Sequence, residues 1–132
     1  VSTDSGKTGR VVSLHHLQLA IPPGGEEAAR EFYGELLGLD AVPKPGHLAK
    51  RGGCWFKGPE IDLHLGVEPD FRPARKAHPA FVVRDLDSLR LNLERAGTEI
   101  VDDTQLEGHE RFYAFDPFGN RLEFIAKQTH AG

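Results

Sequence analysis

Leu14-His15-His16-Leu17-Gln18-Leu19-Ala20-Ile21 alternates. Leu17, Leu19 and Ile21 fall on one face of an extended chain, and His16, Gln18 and Ala20 on the other. The same reading returns at His78-Pro79-Ala80-Phe81-Val82-Val83, which again opens on a histidine. Working outward from the first stretch, Pro22-Pro23-Gly24-Gly25 breaks the strand. From Glu26 the apolar positions Ala29, Phe32, Tyr33, Leu36 and Leu37 recur at helical spacing, with Glu26 and Glu27 at the positive end of the dipole and Gly38 placed to stop the helix. After the second stretch, Asp85 or Asp87 can cap a helix carrying Leu86, Leu89, Leu93 and Ala96, closed by Gly97.

Each half then continues with three strands. The first half has Ala41-Val42, the strand around Cys54-Trp55-Phe56, the turn Lys57-Gly58-Pro59-Glu60 and the closing strand Ile61-Asp62-Leu63-His64-Leu65. The second has Glu99-Ile100-Val101, then Arg111–Phe115 and Arg121–Ala126 on either side of Asp116-Pro117-Phe118-Gly119-Asn120. The order βαβββ is therefore spelled twice. The expected class is α+β: two βαβββ modules forming a cupped mixed sheet, with helices outside and a cleft where residues of opposite parity to the apolar stripes meet. By that parity His16, Gln18, His64, His78, Arg121 and Glu123 line the cleft. Residues 1–11 read as a polar N-terminal tail, 12–127 as the domain (module 12–67, linker 68–76, module 77–127) and 128–132 as a C-terminal tail.

Composition narrows the classes. At 132 residues, with 39% apolar and 27% charged content, the chain suits a globular domain that buries about 68% of its unfolded surface. A formal charge of −4 without a Lys/Arg cluster argues against nucleic acid, and no apolar run is long enough for a membrane span or resembles a signal peptide. Cys54 is the single cysteine, so no intramolecular disulfide forms and a cytoplasmic setting is expected; the thiol is read as packing rather than catalytic.

His, His and Glu at equivalent points of a duplicated unit suit a divalent metal (Zn, Ni, Mn, Co or Fe(II)) with open positions for water or substrate. The competing reading is two hydrogen-bonded or exposed histidines and a solvated glutamate, and the pattern alone leaves both open.

The chain resembles the vicinal oxygen chelate superfamily, which includes glyoxalase I, extradiol dioxygenases, fosfomycin-resistance thiol transferases and bleomycin-resistance proteins. The residues that carry the likeness are Leu14 to Pro22, Phe32-Tyr33 through Leu36-Leu37-Gly38-Leu39, His78 to Val83, and Phe112 to Phe124 with the phrase FYxxDPxGNRLEF. The resemblance implies that His16, His78 and Glu123 are metal ligands, with Glu123 also the general base. A fourth position falls on Asp62 or His64. It further implies a small oxygen-rich substrate chelated through vicinal oxygens, and places His64, Gln18, Tyr113 and Arg121 as substrate-side residues. The implied activity is that of a glyoxalase- or dioxygenase-like metalloenzyme. The alternative is a drug-binding protein of the bleomycin-resistance type that takes no metal and uses Trp55, Phe56 and Phe118 for stacking.

Two departures bear on the chemistry. Gln18 stands where fosfomycin transferases carry Thr, which argues against that reaction. Extradiol dioxygenases are often longer chains with additional acid-base residues. His109 reads as a loop histidine, exposed or at the cleft mouth. The stretch Pro43–Gly53 reads as a connector or as a lid offering Lys50 or Arg51, and Phe71–Lys76 as a basic linker or a substrate or dimer contact. A homodimer is expected, with the cleft completed within one chain or across two.

Overall fold

The structure, a computed structural model, describes residues 8–103 and 110–128. The first half runs β1 (Leu17–Ile21), α1 (Glu26–Ala29) continuing as a π-helical segment (Arg30–Leu36), β2 (Asp40–Val42), α2 (Gly46–Ala49), β3 (Cys54–Gly58) and β4 (Ile61–Val67). The second runs β5 (Ala80–Val83), α3 (Leu86–Arg95), β6 (Ile100–Asp102), β7 (Arg111–Phe115) and β8 (Arg121–Ala126). The strands form two four-stranded mixed sheets of identical plan, β1-β4-β3-β2 and β5-β8-β7-β6. In each, the first strand pairs parallel with the last and the other pairs are antiparallel.

The expected repeat is present, with local differences. The opening strands begin later than the alternation suggests, at Leu17 rather than Leu14 and at Ala80 rather than His78. In the second module the reason is visible: Pro79 has no N–H to give the ladder and contributes only its carbonyl, which accepts from the Glu123 N–H at 3.0 Å. His16 and His78 thus stand just ahead of their strands. The first helix does not stay α-helical: Leu37 N–H reaches back five residues to the Phe32 carbonyl, the signature of π-winding. Asp85, not Asp87, caps α3, its carboxylate accepting from the Ser88 N–H at 3.1 Å. Gly38 and Gly97 take positive φ at the helix ends, +78° and +80°. A short helix, α2, occupies part of the stretch read as a connector or lid.

One core runs through both modules. Ile21, Ala29, Phe32, Tyr33, Phe56, Leu63 and Leu65 from the first join Leu93, Phe112, Ala114, Leu122 and Phe124 from the second. Those on strands are the stripe residues, and Ala29, Phe32, Tyr33 and Leu93 come from the helices that cover them. The modules are also fastened through a turn. Asp116 accepts from the Phe118 and Asn120 N–H groups and from the Tyr33 hydroxyl, and Asn120 donates from Nδ2 to the Ala20 carbonyl at 2.9 Å. Among the described residues no helix is long and apolar enough to cross a membrane.

Candidate metal and substrate site

The polar residues lie on the sheet faces opposite that core, and they gather in two groups. On the first sheet the parallel register sets Gln18 beside His64, and the antiparallel register sets Trp55 across from His64. The His64 ring is sandwiched. It stacks on Trp55 at 4.0 Å between ring centres (6° between planes) and on His16 at 4.3 Å (20°). His15 Nδ1 lies 3.0 Å from His16 Nδ1. Burial lowers the His64 pKa, and the neighbouring His16 lowers it further, which favours the neutral imidazole a metal requires. Asp62, the other candidate on this strand, points to Lys57 at 4.0 Å instead, so His64 is the residue that accompanies His16. Gln18 lies over Gly66, its Nε2 only 2.8 Å from where a Cβ at position 66 would stand; the glycine makes room for the amide.

On the second sheet His78 Nε2 meets Glu123 Oε1 at 2.9 Å, and His78 Nδ1 lies 3.0 Å from the Lys76 carbonyl. The carbonyl and the carboxylate both accept, so the ring donates from Nδ1 to Lys76 and from Nε2 to Glu123; an ion at Nε2 would take the place of that second proton. The second Glu123 oxygen accepts from Arg111 Nη1 at 3.0 Å, and the same nitrogen donates to the Tyr113 hydroxyl at 2.9 Å. Arg111 also lies 3.4 Å from Asp103, while its Nε is buried without a partner among the described residues. Glu123 is 5% exposed. Burial pushes its carboxyl up, but the hydrogen bonds and charges of Arg111 and His78 outweigh that and hold it below the ordinary carboxylate value. The bond to Glu123 in turn raises Arg111. Tyr113 is the hub of this face: the His78 ring meets it edge-on at 5.3 Å, and the Arg121 guanidinium lies 4.0 Å over its centre.

Of the residues expected to line one cleft, the structure therefore joins His16, His64 and Gln18 on one sheet and His78, Glu123, Tyr113 and Arg121 on the other. Among the described residues no hydrogen bond, ion pair or ring contact links the two groups. No three His, Cys, Asp or Glu side chains gather for a metal among them. The physical reason lies in how one chain packs: its modules meet through the core, the Asp116–Asn120 turn and Tyr33, all on the apolar side of the sheets.

Phe56, Phe118 and Cys54 resolve as packing. Phe56 is core, and Phe118 sits against Gly25 and Phe71 at the module junction. Cys54 is 6% exposed within the core, and burial raises its thiol pKa. Lys50 and Arg51 are exposed; the base of their loop is tied by Lys44 to the Gly52 carbonyl and by Glu26, which accepts from the Gly53 N–H at 3.0 Å. His109 lies outside the described residues. Sequence reasoning missed Arg111 as the partner of Glu123 and Trp55 as the partner of His64. Both share parity with the residue they touch, so the signal was there.

The sequence profile of the Glyoxalase/Bleomycin resistance protein/Dioxygenase superfamily matches residues 13–124. The chain belongs to this superfamily. Among solved structures, a protein from Bacillus anthracis assigned to the glyoxalase family is 46% identical with a TM-score of 0.86; the match covers 92% of this chain and 100% of that one. The genomically encoded fosfomycin resistance protein FosX from Listeria monocytogenes, 13% identical, has a TM-score of 0.73 over 90% of this chain and 96% of its own. A glyoxalase/dioxygenase from Nostoc punctiforme, 21% identical, has a TM-score of 0.69 over 93% and 100%. At these lower identities the likeness is one of fold. No curated protein matches the chain. Members of the glyoxalase superfamily typically act on small molecules and use divalent metals.

Proposed function

We propose that this glyoxalase-superfamily protein is a metal-dependent enzyme acting on a small oxygen-rich molecule. Its site combines His16 and His64 of one chain with His78 and Glu123 of a second copy. The observation that carries this reading is that each sheet already holds two adjacent donors, His16 with His64 and His78 with Glu123. Neither pair suffices alone. Three imidazoles and one carboxylate together suit zinc, nickel, manganese, cobalt or iron(II). Apolar side chains flank both half-sites in the single chain: Leu14 and Val82 are 80% and 68% exposed, with Val11 and Val12 more so. β1 and β5 are also edge strands. Such surface favours a second copy as its cover.

A bound ion would supply Lewis-acid stabilisation of negative charge developing on a chelated substrate oxygen. The chain's own residues do the rest. The Lys76 carbonyl orients His78. Arg111 anchors one Glu123 oxygen, and the other, Oε1, takes and returns the substrate proton. The Tyr113 hydroxyl oxygen accepts from Arg111, so its own proton is left to donate to a substrate oxygen. Gln18 faces the substrate from the first sheet.

The drug-binding alternative needs an aromatic surface. Phe56 and Phe118 are committed to packing and Trp55 to His64, which disfavours it.

Metal analysis of protein purified without chelator tests the proposal. Bound metal that is lost on His16→Ala, His64→Ala, His78→Ala or Glu123→Ala substitution is expected. Metal content unchanged in the combined His16, His78 and Glu123 alanine variant, or ligand binding indifferent to chelator, would overturn it.

A further inference from the structure

The cations on the second sheet are not equivalent. Arg111 is spent, bonded to Glu123 and Tyr113 and close to Asp103. Arg121 is not. Its backbone N–H binds the Ala74 carbonyl, but its half-buried guanidinium makes no ion pair or side-chain hydrogen bond among the described residues and only lies over the Tyr113 ring. It precedes Glu123 by two positions on β8, so both project from the same face. Tyr113 carries the Arg121 guanidinium over its ring and the His78 ring at its edge, so the cation and the ligand pair share one support.

Glu123 is already balanced by His78 and Arg111 and has no need of a further positive charge. The ring contact holds the guanidinium in place while its N–H groups keep no hydrogen-bond partner among the described residues. Its planar donor fork is suited to two oxygens of an oxyanion.

We infer that Arg121 is a specificity-determining residue that binds an oxyanion head group, so that the substrate is a compact hydroxy- or oxo-compound bearing a carboxylate, phosphonate or phosphate. The inference rests on the proposed site for the position of the reacting oxygens, but Arg121's own role does not require a metal. The substrate spans the breadth of the Tyr113 ring, with its chelating oxygens at His78 and Glu123 and its anionic end at Arg121.

Two probe pairs, each matched except for the charged end, test this by calorimetry on nickel-loaded protein. One is dihydroxyacetone phosphate with dihydroxyacetone, the other malate with 2-hydroxybutyrate. The parent should favour the charged member of one pair by about 10- to 100-fold. The preferred pair tells a phosphoryl from a carboxyl head. Arg121→Gln should bring that ratio close to one, and Arg121→Lys, which keeps the charge but loses the fork, should retain part of it. Melting temperatures within a few degrees of the parent would exclude misfolding of these variants. An equal ratio in parent and Arg121→Gln, no preference in either pair, or no binding of any probe would overturn the inference. Metal-stripped protein separates the two readings. Binding of every probe that is unchanged by chelation, with the Arg121-dependent preference intact, sinks the metal site and leaves the anion site standing. Binding abolished by chelation, with Arg121→Gln matching the parent when loaded, does the reverse.

Discussion

Tyr33 donates its hydroxyl proton to Asp116 at 2.7 Å, joining the π-helical segment of the first module to the last turn of the second. Tyr33 is fully buried and Asp116 is 4% exposed, so this contact between modules is shielded from water. Burial, and then the adjacent Asp116 carboxylate, raise the Tyr33 pKa well above its ordinary value of 10.0.

Tyr33→Phe removes the hydroxyl and keeps the ring. Hydrogen bonds to charged groups contribute about 1.5–3 kcal/mol, and a loss in that range is expected from denaturant unfolding at neutral pH. The pH dependence has a definite sign. A tyrosine whose folded pKa is raised contributes stability that is fully present below the unfolded value, near 10.0, and is lost as pH rises through the folded value. The parent should therefore weaken above about pH 10 more steeply than Tyr33→Phe, so that the two unfolding curves converge. A constant gap between them across that range would refute the assignment.

Much of the fold was legible because strand parity is a local property. Leu17, Leu19 and Ile21 pack towards the core, as do Phe112, Ala114, Leu122 and Phe124, as their alternation requires. The pairs His16–His64 and His78–Glu123 lie on the faces that the same rule assigns them. Register itself was not legible. Asp62 and His64 share one parity and both lie near His16 in the strand register, and it is the stack of the His64 ring on the His16 ring, not the ladder, that sets those two side chains together. Nor could periodicity reveal that the modules of one chain join through their apolar sides, since Tyr33–Asp116 and Asn120–Ala20 are contacts between distant segments. Parity assigns the polar residues to one face of each sheet but leaves open whether the two faces meet within one chain or across two.

Gly53 and Gly66 make a contrasting pair on the first sheet. At Gly53, φ is +83° and an added Cβ would stand 2.1 Å from the Leu65 carbonyl oxygen, which is backbone and cannot move aside. Gly53→Ala should cost at least ~2 kcal/mol in unfolding free energy. At Gly66 the neighbour is the movable Gln18 amide, and Gly66→Ala should stay within about 1 kcal/mol of the parent while displacing that amide from the cleft face. Equal stabilities for the two variants would contradict the geometry.

Trp55 is the single tryptophan, so all indole emission reports on the ring stacked against His64. Nickel or cobalt bound at His64 would sit next to that ring and quench it. Titrating the parent with either ion should lower its emission to a saturable plateau that chelator reverses, and His64→Ala should abolish the response. Asp62→Ala should keep it, because Asp62 faces Lys57. An undiminished response in His64→Ala would remove that residue from the ligand set.

The composition of the site across chains can be read by mixing two inactive variants. His16→Ala spoils the half-site on the first sheet, and Glu123→Ala spoils the one on the second. Neither homodimer should then hold metal. If each site takes one half from each chain, a mixed dimer contains one site with both halves damaged and one with both intact. Full subunit exchange of equal amounts makes about half of all dimers mixed, so the mixture should regain about a quarter of the parent's metal per chain. If both halves came from the same chain, every site in every combination would lack a ligand and no metal would return. Light scattering on the parent supplies the prior condition, since a mass near one chain at micromolar concentration would rule out the dimer on which the shared site depends.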